Sequence, residues 1–558
     1  MSQKIIIYQI FTRLYSNRNN TRKENGTIKE NGCGKMNDIT SGILYKIRTM
    51  GITHVWYTGI LRHATTTDYT AYGIPRNHPA IVKGKAGSPY AITDYYDVDP
   101  DLAEDVAGRM AEFGALLCRT HRVGLKAIID FVPNHVARQY HSICAPEGVE
   151  GLGEGDDPTQ GFNPARNNFY YCPGQRFSPS FDLSQGATEP YVEEPAKATG
   201  NDHFDACPGV NDWYETVKLN YGVDYYAGGV KHFDPIPNTW VKMLQILEFW
   251  ASKGVDGFRC DMAEMVPAEF WDWALARLKA DYPNIIIIGE VYNPQLYRRY
   301  IQSGFDYLYD KVGMYDTLRA VTCGNAPASA ITGAWQAVDD IGDKMLYFLE
   351  NHDEQRVASD FFAGDGRKGI SALAVSLLLR GNPFMLYFGQ QWGERGMDKE
   401  GFSGRDGRTT IFDYWSVDTV VRGVRGMLTK EEEALALIYA KLMQIAQNRS
   451  SIDKGEMFDL MYANPPSPHF DPRRHYAFLR KRGEELLLVV VNFGGNDENV
   501  AVTIPAHAFE CLGIDEATRT TTDLINGRRH KVDFRKDRQI SIPVGAYGVV
   551  VLKMRSRR

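Results

Sequence analysis

The chain has 558 residues, too many for one ordinary core, and 43% of them are apolar and 24% charged; that is a globular composition for two or three domains, or for one large barrel with appendages. The formal net charge of -6 and the lack of any Lys/Arg-rich block, apart from the terminal Arg-Ser-Arg-Arg, argue against a nucleic-acid surface. No run approaches the roughly 20 apolar residues of a membrane helix, which argues against a membrane partner.

The N-terminus runs Met1-Ser2-Gln3-Lys4 into Ile5-Ile6-Ile7 and turns polar by Gln9 without a small-residue cleavage site. The expectation is therefore a cytoplasmic protein. Ile5–Ile10 reads as a strand. A helix over 38–50 follows (Ile39, Ile43 and Ile47 share a face) and stops at Gly51. Thr53–Tyr57 is the next strand, then a helix over 102–122 with Leu102, Val106, Met110, Phe113 and Leu117 on one face, then a buried strand over 125–132. From about Val136 to Val230 periodicity fades and Gly, Pro, Asp and Asn accumulate. That is too long for a structureless loop, so an inserted loop-rich subdomain is expected.

The alternation resumes with helix 238–253, strand 255–260, helix 267–280, and strands 285–288, 306–309, 344–349 and 384–388, with a helix at 369–379. Eight strands alternating with helices predict a closed (β/α)₈ TIM barrel of α/β class. After a helix at 430–447, short runs at 476–480, 485–491, 499–504, 539–542 and 548–552 predict an all-β C-terminal sandwich without helices. The expected division is a barrel from 1–135 and 231–450, a subdomain from 136–230, and a β-domain from 451–558. The eight cysteines form no C-x-x-C pair, so neither a zinc knuckle nor a disulfide framework is indicated; a bridge among Cys144, Cys172 and Cys207 is left open. Nothing in the sequence sets an oligomeric state.

Polar groups gather where the strands end: Asp130 and His135 after the third, Arg259 and Asp261 on the fourth, Glu290 after the fifth, His352 and Asp353 after the seventh. Any one of them could be a helix N-cap or a satisfied loop residue. Packing does not require all of them on one rim, and catalytic groups of a parallel barrel sit at that rim. Three carboxylates, an arginine and two histidines without metal-ligand spacing suit glycosidic bond cleavage. That reaction needs one protonated acid and one ionised carboxylate. Arg259 lies two residues before Asp261, on the same side of a strand, and would keep that carboxylate charged.

The segments "DFVPNH" (130–135), "GFRCDMAEM" (257–265), "GEVY" (289–292) and "FLENHDEQR" (348–356) resemble, in order, the conserved regions of the α-amylase superfamily of glycoside hydrolases. A fifth, "SPYAITDYYDVDP" (88–100), resembles the stretch with the tyrosine that stacks on the sugar, here Tyr90. The resemblance implies Asp261 as nucleophile, Glu290 as general acid/base and Asp353 as a binder of sugar hydroxyls. Arg259 would orient Asp261, and Tyr90, Asp130, His135 and His352 would complete the cleavage subsite. The implied reaction is retaining cleavage of α-1,4 links in α-glucans or maltooligosaccharides, with no cofactor needed for the chemistry. A neopullulanase- or cyclomaltodextrinase-like enzyme and an α-glucan transglycosylase would use the same site. A non-catalytic carbohydrate-binding relative should have lost one of the three acids. The resemblance also implies a structural calcium ion, for which Asn134 matches a common ligand. Against that ion, Glu264-Met265 stands where many members carry Lys-His, whose histidine backbone serves the calcium site. Thr216–Asn220 ("TVKLN") partly resembles the "MPKLN" stretch of neopullulanase-like members. The segment 400–415 is polar and aromatic enough to line a cleft.

Overall fold

The computed structural model describes residues 4–183 and 187–556. Met1–Gln3 of the leader reading and Arg557–Arg558 of the basic tail lie outside them. Eight parallel strands close into a barrel: β1 (Ile6–Phe11), β2 (His54–Thr58), β3 (Lys126–Phe131), β4 (Gly257–Cys260), β5 (Ile286–Gly289), β6 (Tyr307–Tyr309), β7 (Met345–Phe348) and β8 (Phe384–Tyr387), each beside its sequence neighbours. These are the eight expected strands. β6 is the shortest, at three residues.

Side chains alternate across each strand and build two cores. Outward residues such as Ile10, Tyr57, Ile129, Phe258 and Leu308 join the large cluster under the helices. Inward residues Ile7, Trp56, Ile128, Ile288, Tyr309, Leu346, Phe348 and Met385 form a separate inner cluster. That set draws on seven strands. β4 is missing from it because its inward residue is Arg259.

The helix expected over 102–122 spans only Arg109–Arg122; Pro100–Leu102 is a 3₁₀ turn capped by the Asp99 carboxylate. The aperiodic segment after β3 is held mainly by polar side chains and three short hairpins: His135–Ala137 with Thr216–Lys218, Tyr171–Cys172 with Ala196–Lys197, and Val223–Asp224 with Val230–Lys231. Buried Asn168 donates to the Asn238 and Thr239 side chains in the first turn of helix Asn238–Ser252, and buried Asn220 donates to the loop carbonyls of Asn163 and Asn167. All eight cysteines are unpaired.

The C-terminal region is a six-stranded sheet and a two-stranded sheet sharing one core, with Leu488, Val490, Val502 and Ile542 in it. Two strands that sequence reading did not find, Ala517–Asp523 and Arg529–Phe534, form one edge. The expectation of no helix there is corrected by Ala506–Cys511. No helix of the described residues is long and apolar enough to cross a membrane.

Barrel and β-region meet at Arg480, which is 2% exposed. Its guanidinium donates to the carbonyls of Leu379, Ser451, Ile452 and Gly455. The Leu379 carbonyl lies at the end of helix Ile370–Leu378, where a cation also complements the helix dipole. Arg480→Met strands these carbonyls in a dry interface and should destabilise the fold by about 3 kcal/mol. Denaturant melts of the two proteins check this, and equal midpoints would refute it.

Candidate active site

Arg259 is 1% exposed inside a barrel whose inner core is mostly apolar, with buried Gln9, Thr58 and Asp130 as polar exceptions. A buried guanidinium must have its donors and its charge met by acceptors around it. Its Nη1 donates to Asp261 Oδ1 at 2.6 Å, and its Nη2 is ion-paired with Glu290 Oε2 at 2.7 Å. Asp130 Oδ1 lies 3.7 Å from Nη1, and Nε donates to the Tyr309 hydroxyl at 3.3 Å. The rings of Trp56, Tyr90 and Tyr309 lie within 5.3–5.6 Å of the guanidinium carbon. The parallel ladder supplies the alignment. Arg259 is registered with Asp130 on β3 and Ile288 on β5, and the Asp261 and Glu290 amides continue it into the Phe131 and Cys260 carbonyls.

The chain turns sharply past Asp261. Met262 adopts left-handed dihedrals (φ 42, ψ 44). Such a conformation costs a bulky side chain about 1 kcal/mol or more, and here it aims the Met262 N–H at Glu290 Oε2, 2.8 Å away. Glu290 Oε1 accepts from the Tyr292 hydroxyl at 2.6 Å. Glu264, the departure from the family pattern, accepts from the Tyr292 and Asn293 amides and so caps the loop that carries Glu290.

On the other side of the guanidinium, Asp130 Oδ2 accepts from the Trp56 indole and the Gly59 amide. His352 is stacked on Tyr90, with centroids 5.2 Å apart, and its Nε2 lies 3.1 Å from Asp353 Oδ2. Gln9 Nε2 donates to His352 Nδ1, so the ring carries its proton on Nε2. Burial, and then Arg259, push His352 well below the ordinary histidine range, which keeps it neutral. Burial raises Asp130 to about 6 against the pull of Arg259. Burial and then Glu290 raise Asp353 to about 7. Burial also lifts Asp261 well above the aspartate range; Arg259 opposes this, while Glu290 and Asp353 add to it.

These groups open onto a cavity of about 720 Å³, lined by Tyr90, His135, Asp261, Glu290 and Asp353 among others. Arg259, Asp130 and His352 lie beneath its floor. The residues named from sequence thus converge on one place. Sequence reading did not find Lys83, Trp213, Tyr214 and Tyr292, which also line the cavity. Trp213 packs its ring 5.1 Å from His135. A Trp-Tyr pair in a Gly- and Asp-rich segment was the one signal for it. Phe402 and Phe412, from the segment expected to line a cleft, form part of the wall.

Two candidate metal positions are filled by cations of the chain. Asp94, Asp97 and Cys144 come together, but Arg62 pairs with both aspartates and Arg109 with Asp97. At Asn134, the position implied for calcium, the side-chain oxygen accepts from the Lys218 ammonium, and Asp202 Oδ1 lies 2.6 Å from that nitrogen. These residues do not fit a divalent ion.

The family model for the alpha amylase catalytic domain matches residues 9–172 and 235–424. Alpha-amylase 3 of Dictyoglomus thermophilum is 24% identical over 390 residues, covering 66% of this chain and 68% of that protein. A cyclomaltodextrin glucanotransferase of Geobacillus stearothermophilus is 24% identical over 411 residues, covering 69% of this chain but 49% of its own length. Among solved structures, a noncanonic maltogenic alpha-amylase from Thermotoga neapolitana superposes with a TM-score of 0.64 at 21% identity, covering 99% of this chain and 98% of that one. The chain belongs to the alpha-amylase family, whose members are glycoside hydrolases and transglycosylases acting on O-glycosyl bonds.

Proposed function

We propose that the protein is a retaining glycoside hydrolase that cleaves α-1,4-glucosidic bonds in maltodextrins and related α-glucans. One observation carries the reading. Asp261 and Glu290 engage separate nitrogens of one buried guanidinium and face one cavity. A retaining mechanism needs two carboxyls about 5–5.5 Å apart across one sugar ring, and a shared guanidinium supports that closeness.

In this reading Glu290 gives its proton to the glycosidic oxygen while Asp261 attacks the anomeric carbon. The carbon–oxygen bond breaks, and the leaving sugar departs with the proton. Water then attacks the glycosyl ester, Glu290 takes the water's proton, and Asp261 is released. The Met262 amide and the Tyr292 hydroxyl hold Glu290 in place through both steps. Asp353 binds ring hydroxyls, and His352, whose Nε2 meets the Tyr90 hydroxyl and Asp353 Oδ2, holds both groups at the cleavage subsite. Tyr90 is the stacking platform, and Asp130 helps fix Arg259.

Asp261→Asn and Glu290→Gln should each lower kcat on maltooligosaccharides by ~10³-fold or more with the thermal midpoint preserved. A Glu290→Gln enzyme that kept most of its activity would end the acid/base assignment. Chromatography of products from amylose, pullulan, β-cyclodextrin and isomaltose tests the outcome of the reaction. Shorter linear sugars are expected. Longer or branched products would instead favour transfer to another sugar, and cyclic products transfer to the far end of the same chain, as the name of the glucanotransferase relative describes.

The pH dependence of kcat/KM should be bell-shaped, and a profile flat from about pH 4 to about pH 9 would exclude the pair. The acid limb follows protonation of Asp261, which burial and neighbouring carboxylates raise. Asp353→Asn removes one of those negative charges, so Asp261 stays ionised to lower pH and the limb should move toward acid. Movement toward alkali would contradict the electrostatics.

A further inference from the structure

Lys218 ends the short strand Thr216–Lys218 and lies directly opposite His135 across the hairpin. Its side chain is 2% exposed. Its ammonium meets three oxygens from three separate segments: Asn134 Oδ1 just after β3, the Met265 carbonyl 3.2 Å away in the loop after β4, and Asp202 Oδ1 2.6 Å away in the inserted subdomain. An ammonium has three N–H donors and no acceptor, so donors and acceptors match in number. The Tyr225 ring, 5.9 Å away, adds a face that favours a cation.

We infer that the Lys218 ammonium is the resident cation of the junction between barrel and subdomain, doing there what a divalent metal ion would otherwise do, and that through Asn134 it sets the tautomer of His135. Lysine can only donate, so Asn134 must turn its oxygen toward it. The Asn134 NH₂ then faces the Gly200 carbonyl at 2.7 Å and His135 Nδ1 at 3.1 Å. A donor on Nδ1 makes that nitrogen the acceptor, which puts the ring proton on Nε2. Burial, and then the nearby Lys218 charge, push His135 down to about 3, so the ring is neutral. One buried cation thus ties three segments together and leaves an Nε2–H donor on the histidine that lines the cavity. The cation role stands on contacts outside the cleft; only the use of that donor by a sugar rests on the proposed function.

Thermal melts of the full chain test the first half. Excess EDTA or millimolar calcium should leave the wild-type midpoint unchanged within about 1 °C, whereas loss of a tightly bound ion would lower it by several degrees. A chelator-sensitive wild type overturns the inference. Lys218→Ala uncovers the three oxygens, so its midpoint should fall and be partly restored by calcium but not by sodium chloride of equal ionic strength. Equal stability of variant and wild type, or a folded variant that calcium does not restore, overturns it as well. Should that variant fail to fold, Asp202→Asn keeps the lysine and trims one partner on a more exposed side chain. Its midpoint should fall while staying insensitive to EDTA, and an unchanged midpoint, or one that EDTA lowers further, counts against the inference. The second half is read from ¹⁵N-histidine spectra. His135 should show the neutral Nε2–H form throughout the range between about pH 5 and 8, and a protonated or Nδ1–H signature overturns the tautomer assignment. Neither readout uses turnover, so inactivity of the cleft, which would sink the proposed function, would leave both answers standing.

Discussion

A guanidinium inside the barrel is the constraint on which the site depends. Seven strands fill the interior with apolar side chains, and the fourth places Arg259 there. Leaving such a charge unpaired costs several kcal/mol, and removing one partner of a buried pair typically costs about 3–5 kcal/mol. The chain meets the demand with acids at the ends of three neighbouring strands: Asp130 on β3, Asp261 after β4 and Glu290 after β5. Three carboxylates around one cation are over-compensated, so protons are retained where isolated aspartates would have lost them. Burial is the main cause of the raised positions of Asp130 and Asp353, and the Glu290 charge adds to both. The same crowding that would be a defect in a core is what acid/base chemistry requires.

The mouth of the barrel is stiffened by the backbone as much as by side chains. Met262 holds a left-handed conformation that only surrounding structure could maintain, and its amide is spent on Glu290. Glu264 departs from the family pattern that the sequence otherwise resembles. Here it accepts two amides of the loop after β5 and so steadies the strand end next door. In this chain the residue is a support for the loop that bears Glu290. Tyr292 closes the arrangement from the other carboxylate oxygen.

Much of the barrel and its floor was legible in the sequence, for a physical reason. A strand buried on both faces must be a run of apolar residues, and the polar residues that end it stand out against that background. "IIIIGEVY" is visible because four isoleucines in a row belong in a core. "GFRCDM" is visible because an arginine inside such a strand needs a buried carboxylate beside it. The edge strands Ala517–Asp523 and Arg529–Phe534 lacked that contrast. They are rich in Thr, Arg and Lys, and little more than Thr521, Asp523, Val532 and Phe534 is buried on them. Their ladder, not their composition, makes them strands. Trp213 and Tyr214 were hidden for a different reason: the subdomain is held by asparagine side chains and short strand pairs whose partners lie tens of residues away. Periodicity has nothing to report there.

That contrast separates two layers of the cleft. Asp261, Glu290 and Asp353 stand beyond the ends of barrel strands joined in a closed ladder, so the acids proposed to break the bond share one frame. Trp213, Tyr214, Phe402 and Phe412 come from the insert and from the loops after β8, which rest on that frame and form its walls. Bond cleavage depends on the first layer. On the proposed function, the sugars on either side of the cut would meet the second layer, so length, branching and acceptor would be chosen there. A family can therefore keep one floor and reach several products. In this chain the wall is anchored to the floor beside His135, where strand Thr216–Lys218 pairs with the segment leaving β3. The insert is also tied to the barrel by Lys218 at the Met265 carbonyl and by Asn168 at Asn238 and Thr239, so that strand pair is one of several joints between wall and floor.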